Sequence, residues 1–498
     1  MSKDAEKWKN EANEFFRNGK YDKALFLYDR AIRCNPENPV LYLNKSMTCL
    51  KMDAFYNAYE SAKIGLEKCG DREKAIYRMG LAAYGMREWK KAADHFLEVV
   101  KEFPANEFAP EQLKRAISRI SEERNGKYDF KKMFVESKKE KAELDVADYK
   151  GPIEISNIPG KGRGIIASKD IKEGTLFAVS KAFARGYSQD FPGILIAINM
   201  IRKEADTAAH MLQVIHAMEQ LQKNPKRAKE LYDLYSGDTV KNEEIPFGII
   251  DAARIHRIGA LNRFSNDYMT LNEDQLEKTD DAHLFILPSF FNHSCIANAY
   301  RTFYGDVMVI YAAADIKKGE EIYLSYICPL TEYSKRKETL NSWKFECHCQ
   351  LCETDSKDKL CFKRDRIFAE FFKYLKANRN SPKKVVAKGE PILKKIRETY
   401  SDRNEYKIRL AEMLMFLSQM YADSDNPLKS IQYFEEVLTL VDNPLKYSVN
   451  IAFGYINIAQ CYSRIGNVQK FNEMIQKAYE FSFCNNKDHF KMRFSRFL

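Results

Sequence analysis

The 498-residue chain is 45% hydrophobic and 30% charged, with 21 Gly, 15 Pro and 11 Cys, which excludes a disordered or fibrous polymer. The excess of 80 Lys and Arg over 70 Asp and Glu is a mild bias, scattered in groups such as KKEK at 138–141, and solvated helix faces account for it as well as an acidic partner does. The longest nearly apolar run, GILIAINMI at 193–201, is far short of the ~20 residues a membrane helix needs, the start MSKDAEKWKN lacks a signal peptide's apolar region, and no basic stripe with interleaved aromatics marks a nucleic-acid surface.

These bounds predict a soluble intracellular monomer of roughly three domains, with no membrane and no direct nucleic-acid partner. The cysteines are then expected as thiols or metal ligands rather than disulfides.

The first hundred residues repeat with a period of 34. Trp8, Ala12, Phe15, Ala24, Tyr28, Ala31 and Pro36 are echoed by Tyr42, Ser46, Cys49, Ala58, Ala62 and Gly65, and again by Ile76, Gly80, Ala92, Phe96 and Pro104. Small residues at the eighth and twentieth positions let paired helices approach closely. The pattern resembles three tetratricopeptide (TPR) repeats, predicted over 1–120. Lys9 and Asn13 are four residues apart on one helix, as are Lys74 and Arg78, so each pair shares a face. With Asn44 these five resemble the carboxylate clamp by which some TPR proteins hold the C-terminal Glu-Glu-Val-Asp of cytosolic heat-shock chaperones. The plain alternative is five exposed polar residues. A charged stretch at 121–150 loses the repeat and reads as a connecting helix and linker.

At 151–182 the character changes to GPIEISNIPGKGRGIIASKDIKEGTLFAVSKA, with Gly160, Gly162 and Gly164 around Lys161 and Arg163. Such glycines let a backbone approach a ligand, or simply make a hairpin turn. Residues 183–258 read as mainly helical. Strand character returns over 259–328, including MVIYAAADIKKGEEIYLSY, followed by FECHCQLC at 345–352. From about 357 to 498 long amphipathic patterns such as EYKIRLAEMLMFLSQMYA predict paired helices of TPR-like kind, either walling a substrate groove or purely structural.

GKGRG, NRF at 262–264, NHSC at 292–295 with Asn298 behind it, GEEIYLSY and FECHCQLC stand in the order of SET-domain lysine methyltransferases with post-SET cysteines. The resemblance is to the SET-and-MYND (SMYD) family, in a TPR-bearing form. It implies an α+β multidomain fold: N-terminal helical TPR repeats, a β-rich SET domain split into 151–182 and 259–328 by a helical insert at 183–258, a post-SET zinc segment at 329–356, and a C-terminal helical TPR-like domain at 357–498. Two departures stand out. No cysteine lies between Cys69 and Cys295, so the MYND zinc finger is missing, and Ala297 replaces the family's proline after NHSC-x.

Cys347, Cys349 and Cys352 form a CxCxxC set, one ligand short of a closed structural zinc site. The resemblance supplies Cys295 as the fourth, with Cys328, Cys361 and His348 as alternatives. It further implies S-adenosylmethionine bound by Lys161, Gly162, Arg163, Asn262, Asn292, His293, Tyr326 and Phe345. Tyr326 would be the catalytic tyrosine, and Phe264, Tyr326 and Trp343 would line a narrow lysine channel, although each aromatic is equally a candidate for ordinary core. The implied activity is protein-lysine N-methylation of a histone or non-histone substrate, in the cytoplasm with a nuclear fraction left open. The alternative is a TPR scaffold or co-chaperone whose SET domain is weak or inactive; a zinc-dependent nucleic-acid binder is poorly supported.

Overall fold

The computed structural model describes residues 3–139, 141–190, 196–199, 204–237, 244–265, 281–342, 345–441, 451–482, 484 and 486–495. The chain begins with helices α1 (Lys3–Arg17), α2 (Tyr21–Cys34), α3 (Pro39–Lys51), α4 (Phe55–Glu67), α5 (Arg72–Gly85), α6 (Trp89–Glu102), α7 (Ala109–Asn125) and α8 (Phe130–Glu136). Strands β1 (Tyr149–Lys150), β2 (Ile153–Ile158), β3 (Gly162–Ala167), β4 (Leu176–Lys181), β5 (Ala184–Gly186), β6 (Ile196–Asn199) and β7 (Glu204–Thr207) follow. After helices α9 (Ala208–Lys223), α10 (Ala228–Tyr232) and α11 (Ala252–Leu261) come strands β8 (Arg263–Phe264), β9 (Ala282–Leu284), β10 (Asn292–His293), β11 (Ala299–Tyr304), β12 (Val307–Ala312) and β13 (Glu321–Leu324). Helices α12 (Tyr333–Ser342), α13 (Gln350–Lys357), α14 (Cys361–Ala377), α15 (Pro382–Glu398), α16 (Ile408–Asp423), α17 (Pro427–Leu440), α18 (Ile451–Arg464), α19 (Val468–Phe481) and α20 (Lys487–Arg493) complete the order.

One unit comprises Met1–Tyr128, Asp145–Lys150 and Val179–Ser289. Its helices α1 to α6 pair as the period of 34 demands. Ala12, Ala24, Ala58 and Ala92 are fully buried at the small positions, and a Cβ on Gly80 would stand 2.7 Å from the Phe96 ring. The first helix of each pair is ended by a residue with left-handed backbone, Gly19 (φ 71°), Asp53 (φ 55°) and Arg87 (φ 64°), again one period apart. That conformation closes the last helical turn and redirects the chain into the next helix. Asn38 and Asp71 then start α3 and α5 by accepting from the amides of Val40 and Lys74.

The stretch expected to be mainly helical, 183–258, differs in its first part. It contains β5, which pairs with β9, and a β6–β7 hairpin in register Ile196↔Thr207 to Asn199↔Glu204, before α9 to α11. A short, nearly all-apolar run such as ILIAIN carries neither a period of 2 nor one of 3.6, so length and flanks alone had to decide.

The other unit comprises Asp129–Leu144, Gly151–Ala178 and Phe290–Leu498. It holds a four-stranded sheet in the order β10-β13-β3-β2. β2 and β3 form an antiparallel hairpin, β13 runs antiparallel to β3, and β10 lies parallel to β13 with Asn292 opposite Tyr323 and His293 opposite Leu324. A second hairpin joins β11 to β12, every residue of β12 being buried. Helices α14 to α20 pack around a core in which Phe371, Val385, Ile396, Leu414, Leu417 and Val437 are fully enclosed. No described helix is long and apolar enough to cross a membrane.

Asn298 fastens this arrangement. Its Nδ2 donates to Glu321 O (3.0 Å), its Oδ1 accepts from Tyr323 N (2.8 Å), and its own carbonyl accepts from Ala313 N (2.9 Å). The side chain thus does for one edge of β13 what a neighbouring strand would do. Asn298→Ala removes both side-chain bonds and is expected to cost about 1–3 kcal/mol of stability. Denaturant unfolding checks it, and an unchanged midpoint would contradict the role.

Candidate functional site

β13 alternates, with Ile322 and Leu324 buried and Glu321 and Tyr323 on the opposite face. Glu321 is the hub of that face. Its Oε1 accepts from Asn292 Nδ2 (2.8 Å), and its Oε2 accepts from Lys161 Nζ (3.0 Å) and from Tyr323 Oη (2.6 Å). Lys161 also donates to Tyr323 Oη (3.0 Å) and lies 4.8 Å over its ring. Burial opposes the charge on Lys161, but the bonds to Tyr323 and Glu321 outweigh it and raise the ammonium pKa. Gly164 makes room for this cluster, since a Cβ there would stand 2.7 Å from Asn292 Nδ2 and 2.9 Å from Glu321 Oε1. At the hairpin tip Gly160 and Gly162 have φ of 73° and 72°, and the space a Cβ would take at either is open. The adjoining Arg163 guanidinium lies 4.9 Å over the Phe290 ring.

One residue further along, His293 is held from both sides. Its Nδ1 accepts from Tyr326 N (2.9 Å), which makes Nε2 the protonated nitrogen in the neutral ring, and Nε2 lies 3.3 Å from Cys295 Sγ. Both ring nitrogens are therefore engaged within the protein, leaving the ring face and the backbone for any ligand. Tyr326 and Phe345 complete an aromatic group with His293, at centroid separations of 5.2 Å, 5.9 Å and 6.2 Å. The Tyr326 hydroxyl donates to Phe291 O (2.6 Å), and burial pushes its pKa up to about 12.

Cys295, Cys347, Cys349 and Cys352 bring four sulfurs within 4.8 Å of one another, Cys295 and Cys352 being 3.5 Å apart. Four thiolates at about 2.3 Å from a tetrahedral zinc would stand roughly 3.8 Å apart, so the donor set fits that ion. Hydrogen bonds from Cys295, Cys349 and Cys352 hold Cys347 toward the thiolate, while the same contact with Cys347 holds Cys295 as the thiol. A divalent cation is what permits all four to ionise together. The alternative ligands Cys328, Cys361 and His348 are not in this cluster.

Helix α13 carries Cys352 and, one turn later, Asp355, both buried. Asp355 is gripped by the guanidinium groups of Arg336 and of Arg403, the latter at 2.7 Å. Arg403 and Arg364 both reach Asp358, at 3.0 Å and 2.9 Å. The helix that carries Cys352 is thereby fixed by buried ion pairs, where removal of one partner is costly.

Asn262 and Phe264 belong to the other unit. Asn262 Nδ2 donates to Tyr235 O and Ile258 O (2.8 Å each), and Phe264 packs edge-on against Phe285 at 5.7 Å. Trp343 lies outside the described residues. In the TPR helices, Asn13 Oδ1 accepts from Tyr28 Oη (2.6 Å) and Asn44 Nδ2 (3.2 Å), Arg78 donates to Leu43 O, and Lys9 and Lys74 pair with Glu6 and Asp71 at 2.6 Å.

Sequence reasoning named Asn292, His293 and Tyr326 but missed Glu321, Tyr323 and the arginines around Asp355. For the first two a signal existed, because residues two apart on a strand share a face. For the arginines none did; Arg403 meets Asp355 across 48 residues.

The raised Tyr326 pKa sets a pH window. Its folded value lies above the ordinary 10.0, so the stability it adds is complete below pH 10.0 and is lost as pH rises toward about 12. The phenolate absorbance titration of the wild type minus that of Tyr326→Phe should have its midpoint near 12; a midpoint at the ordinary value would refute the burial argument.

The SET domain family matches residues 162–327, and the tetratricopeptide repeat family matches 5–38. A Gibberella zeae protein named Methyltransferase is 26% identical over 416 residues, covering 78% of this chain and 57% of that one. Human N-lysine methyltransferase SMYD2 is 26% identical over 242 residues, covering 44% of this chain and 54% of its own. The chain thus spans little more than half the length of these curated relatives. The solved first TPR of Spaghetti (RPAP3) bound to HSP90 peptide SRMEEVD is 25% identical and covers 24% of this chain and 96% of its own, at a TM-score of 0.23. With no cysteine between Cys69 and Cys295, this chain carries a SET domain behind a TPR repeat and is similar to the SMYD lysine methyltransferases without their MYND finger.

Proposed function

We propose that the protein is an S-adenosylmethionine-dependent protein-lysine N-methyltransferase acting on histone or non-histone lysines, with a TPR groove that captures acidic C-terminal tails of cytosolic chaperones. The observation that carries it is the convergence of Asn292, His293 and Tyr326 where β10 meets β13, beside four clustered cysteines. The donor set suits the cofactor: a cation at Lys161 and a carboxamide at Asn292 for its amino-acid end, open space by Gly160 and Gly162, and the rings of His293 and Phe345 for a flat base. When bound, the cofactor supplies an electrophilic methyl group on a sulfonium. Asn262 is assigned to the same site, and Phe264, Tyr326 and Trp343 to the lysine channel, on the motif resemblance.

The protein's own task is to present a neutral amine in line. A free lysine, with a pKa near 10.4, is almost wholly protonated at neutral pH, so its proton must leave before transfer. Tyr326 does not take it, because a phenol with a pKa of about 12 is a poor acceptor of protons at pH 7. With its proton committed to Phe291 O, the oxygen offers lone pairs, which attract nearby positive charge and orient it. A zinc ion held by Cys295, Cys347, Cys349 and Cys352 would tie α13 to the loop that follows His293.

For the groove, Lys9 and Lys74 offer ammonium groups and Asn13 and Asn44 amides. Their present acidic partners, Glu6 and Asp71, are partly exposed, and such pairs are weak enough to exchange for a peptide carboxylate. The same reading assigns the protein to the cytoplasm, with a nuclear pool if histones are among its substrates. The clamp also suits a scaffold whose SET domain is inactive.

Titration with S-adenosylmethionine and transfer of labelled methyl to a protein panel separate the two, since the scaffold reading predicts no transfer. Tyr326→Phe should bind the cofactor as the wild type does and lose about 100-fold in transfer; equal turnover would sink the catalytic role. Lys74→Ala should weaken a peptide ending in Glu-Glu-Val-Asp roughly tenfold, with no such loss for the C-terminally amidated peptide. Unchanged affinity would remove Lys74 from the clamp.

A further inference from the structure

A second cluster of ligand-type side chains lies in the insert, away from the cysteines. Asp206 is in β7, one residue before Thr207, whose hydroxyl already caps α9 by accepting from His210 N. His210 is in the first turn of α9 and His256 is on α11. One carboxylate meets both rings: His210 Nδ1 is 2.6 Å from Asp206 Oδ1, and His256 Nε2 is 2.8 Å from Oδ2. One ligand atom from each residue falls within a 4.8 Å group. The His210 side chain is 1% exposed, that of Asp206 24% and that of His256 40%, so the cluster has a dry wall and an open mouth.

The far side of His210 supplies an independent sign. Toward a carboxylate, which only accepts, Nδ1 must carry the proton, so Nε2 is left with a lone pair. That Nε2 is buried without a hydrogen-bond partner among the described residues, and so are both amide atoms of Gln213. The two border the same spot at Gly259, where a Cβ would lie 3.0 Å from Nε2 and 3.2 Å from Gln213 Oε1. A cation on Nδ1 moves the ring proton to Nε2.

We propose that Asp206, His210 and His256 bind a divalent transition-metal cation of the Zn2+ class through two imidazole nitrogens and one carboxylate oxygen, with solvent at the open side. Two nitrogen ligands select against Mg2+ and Ca2+, and three protein ligands leave a position vacant, unlike a closed four-cysteine site. Bond lengths near 2.0–2.1 Å imply ligand atoms roughly 3.3 Å apart, so the present contacts need to open by less than about 1 Å. The bound ion would cross-brace β7, α9 and α11.

The test is equilibrium dialysis of the full-length protein against buffered Zn2+, with metal content read by mass spectrometry. The wild type should hold one equivalent more than His256→Ala and more than Asp206→Asn, while Cys349→Ser should leave that extra equivalent in place. Equal content in wild type and His256→Ala would overturn the site. A second readout needs no variant: Co2+ added to wild type holding a single equivalent of Zn2+, which the four cysteines take first, should give weak visible bands without thiolate charge transfer. Thiolate bands, or no bands at all, would also overturn it.

Discussion

The His293 ring is the joint on which the site turns. Its Nδ1 takes the amide proton of Tyr326, and its Nε2 proton points to Cys295 Sγ. One flat side chain therefore sets both the strand-end backbone that carries Tyr326 and one sulfur of the four-cysteine cluster. A hydrogen bond to a thiolate sulfur is stronger than one to a thiol, so a cation on the cysteines would tighten the His293 contact and, through it, the position of Tyr326. The metal and the tyrosine are in this sense one construction. The two-residue parallel pairing of β10 with β13 is short, and Asn298 and Glu321 reinforce it with side-chain bonds where a longer strand would use backbone.

Charge is distributed to match. On the half-buried face of β13, Lys161, Glu321 and Tyr323 form a group whose solvent edge is Lys161 and whose bonds can be exchanged for those of a ligand. Behind the cysteines the pairs are of another kind. Arg336, Arg364 and Arg403 are each under 9% exposed and meet Asp355 and Asp358, which costs desolvation but fixes geometry once every partner is present. Arg336 keeps its charge although burial opposes it, because Asp355 and Cys295 lie close by. A guanidinium at that place also favours thiolate over thiol in the cluster.

Legibility of the sequence followed range and periodicity. Helix pairs at the N-terminus were readable because a repeat of 34 prints every packing position three times, and even the left-handed turns at Gly19, Asp53 and Arg87 recur at that interval. The Cys347, Cys349 and Cys352 set was readable because its spacing is local, whereas Cys295 came only from resemblance, 52 residues upstream of Cys347 in chemistry that spacing cannot reveal. β6 was not readable as a strand, because its short, nearly apolar sequence shows no period of 2. The Asp206, His210 and His256 cluster escaped notice for the opposite reason. Asp206 and His210 are four residues apart but on a strand and the helix after it, and their third member is 46 residues beyond His210.

The Tyr326 hydroxyl narrows how the proposed methyl transfer must be organised. Its proton is used on Phe291 O, and its pKa is raised by burial, so it enters as a fixed dipole and not as an acid or base. In the proposed reaction the proton on an incoming lysine would then be lost to solvent or to a group outside the aromatic set of His293, Tyr326 and Phe345. His293 is no candidate either, because Nδ1 is occupied by a backbone amide and Nε2 by a sulfur. What the fold supplies at this point is a geometry held by hydrogen bonds within the protein: both ring nitrogens of His293 and the hydroxyl proton of Tyr326 are already engaged. Under the proposed function their contribution is preorganisation.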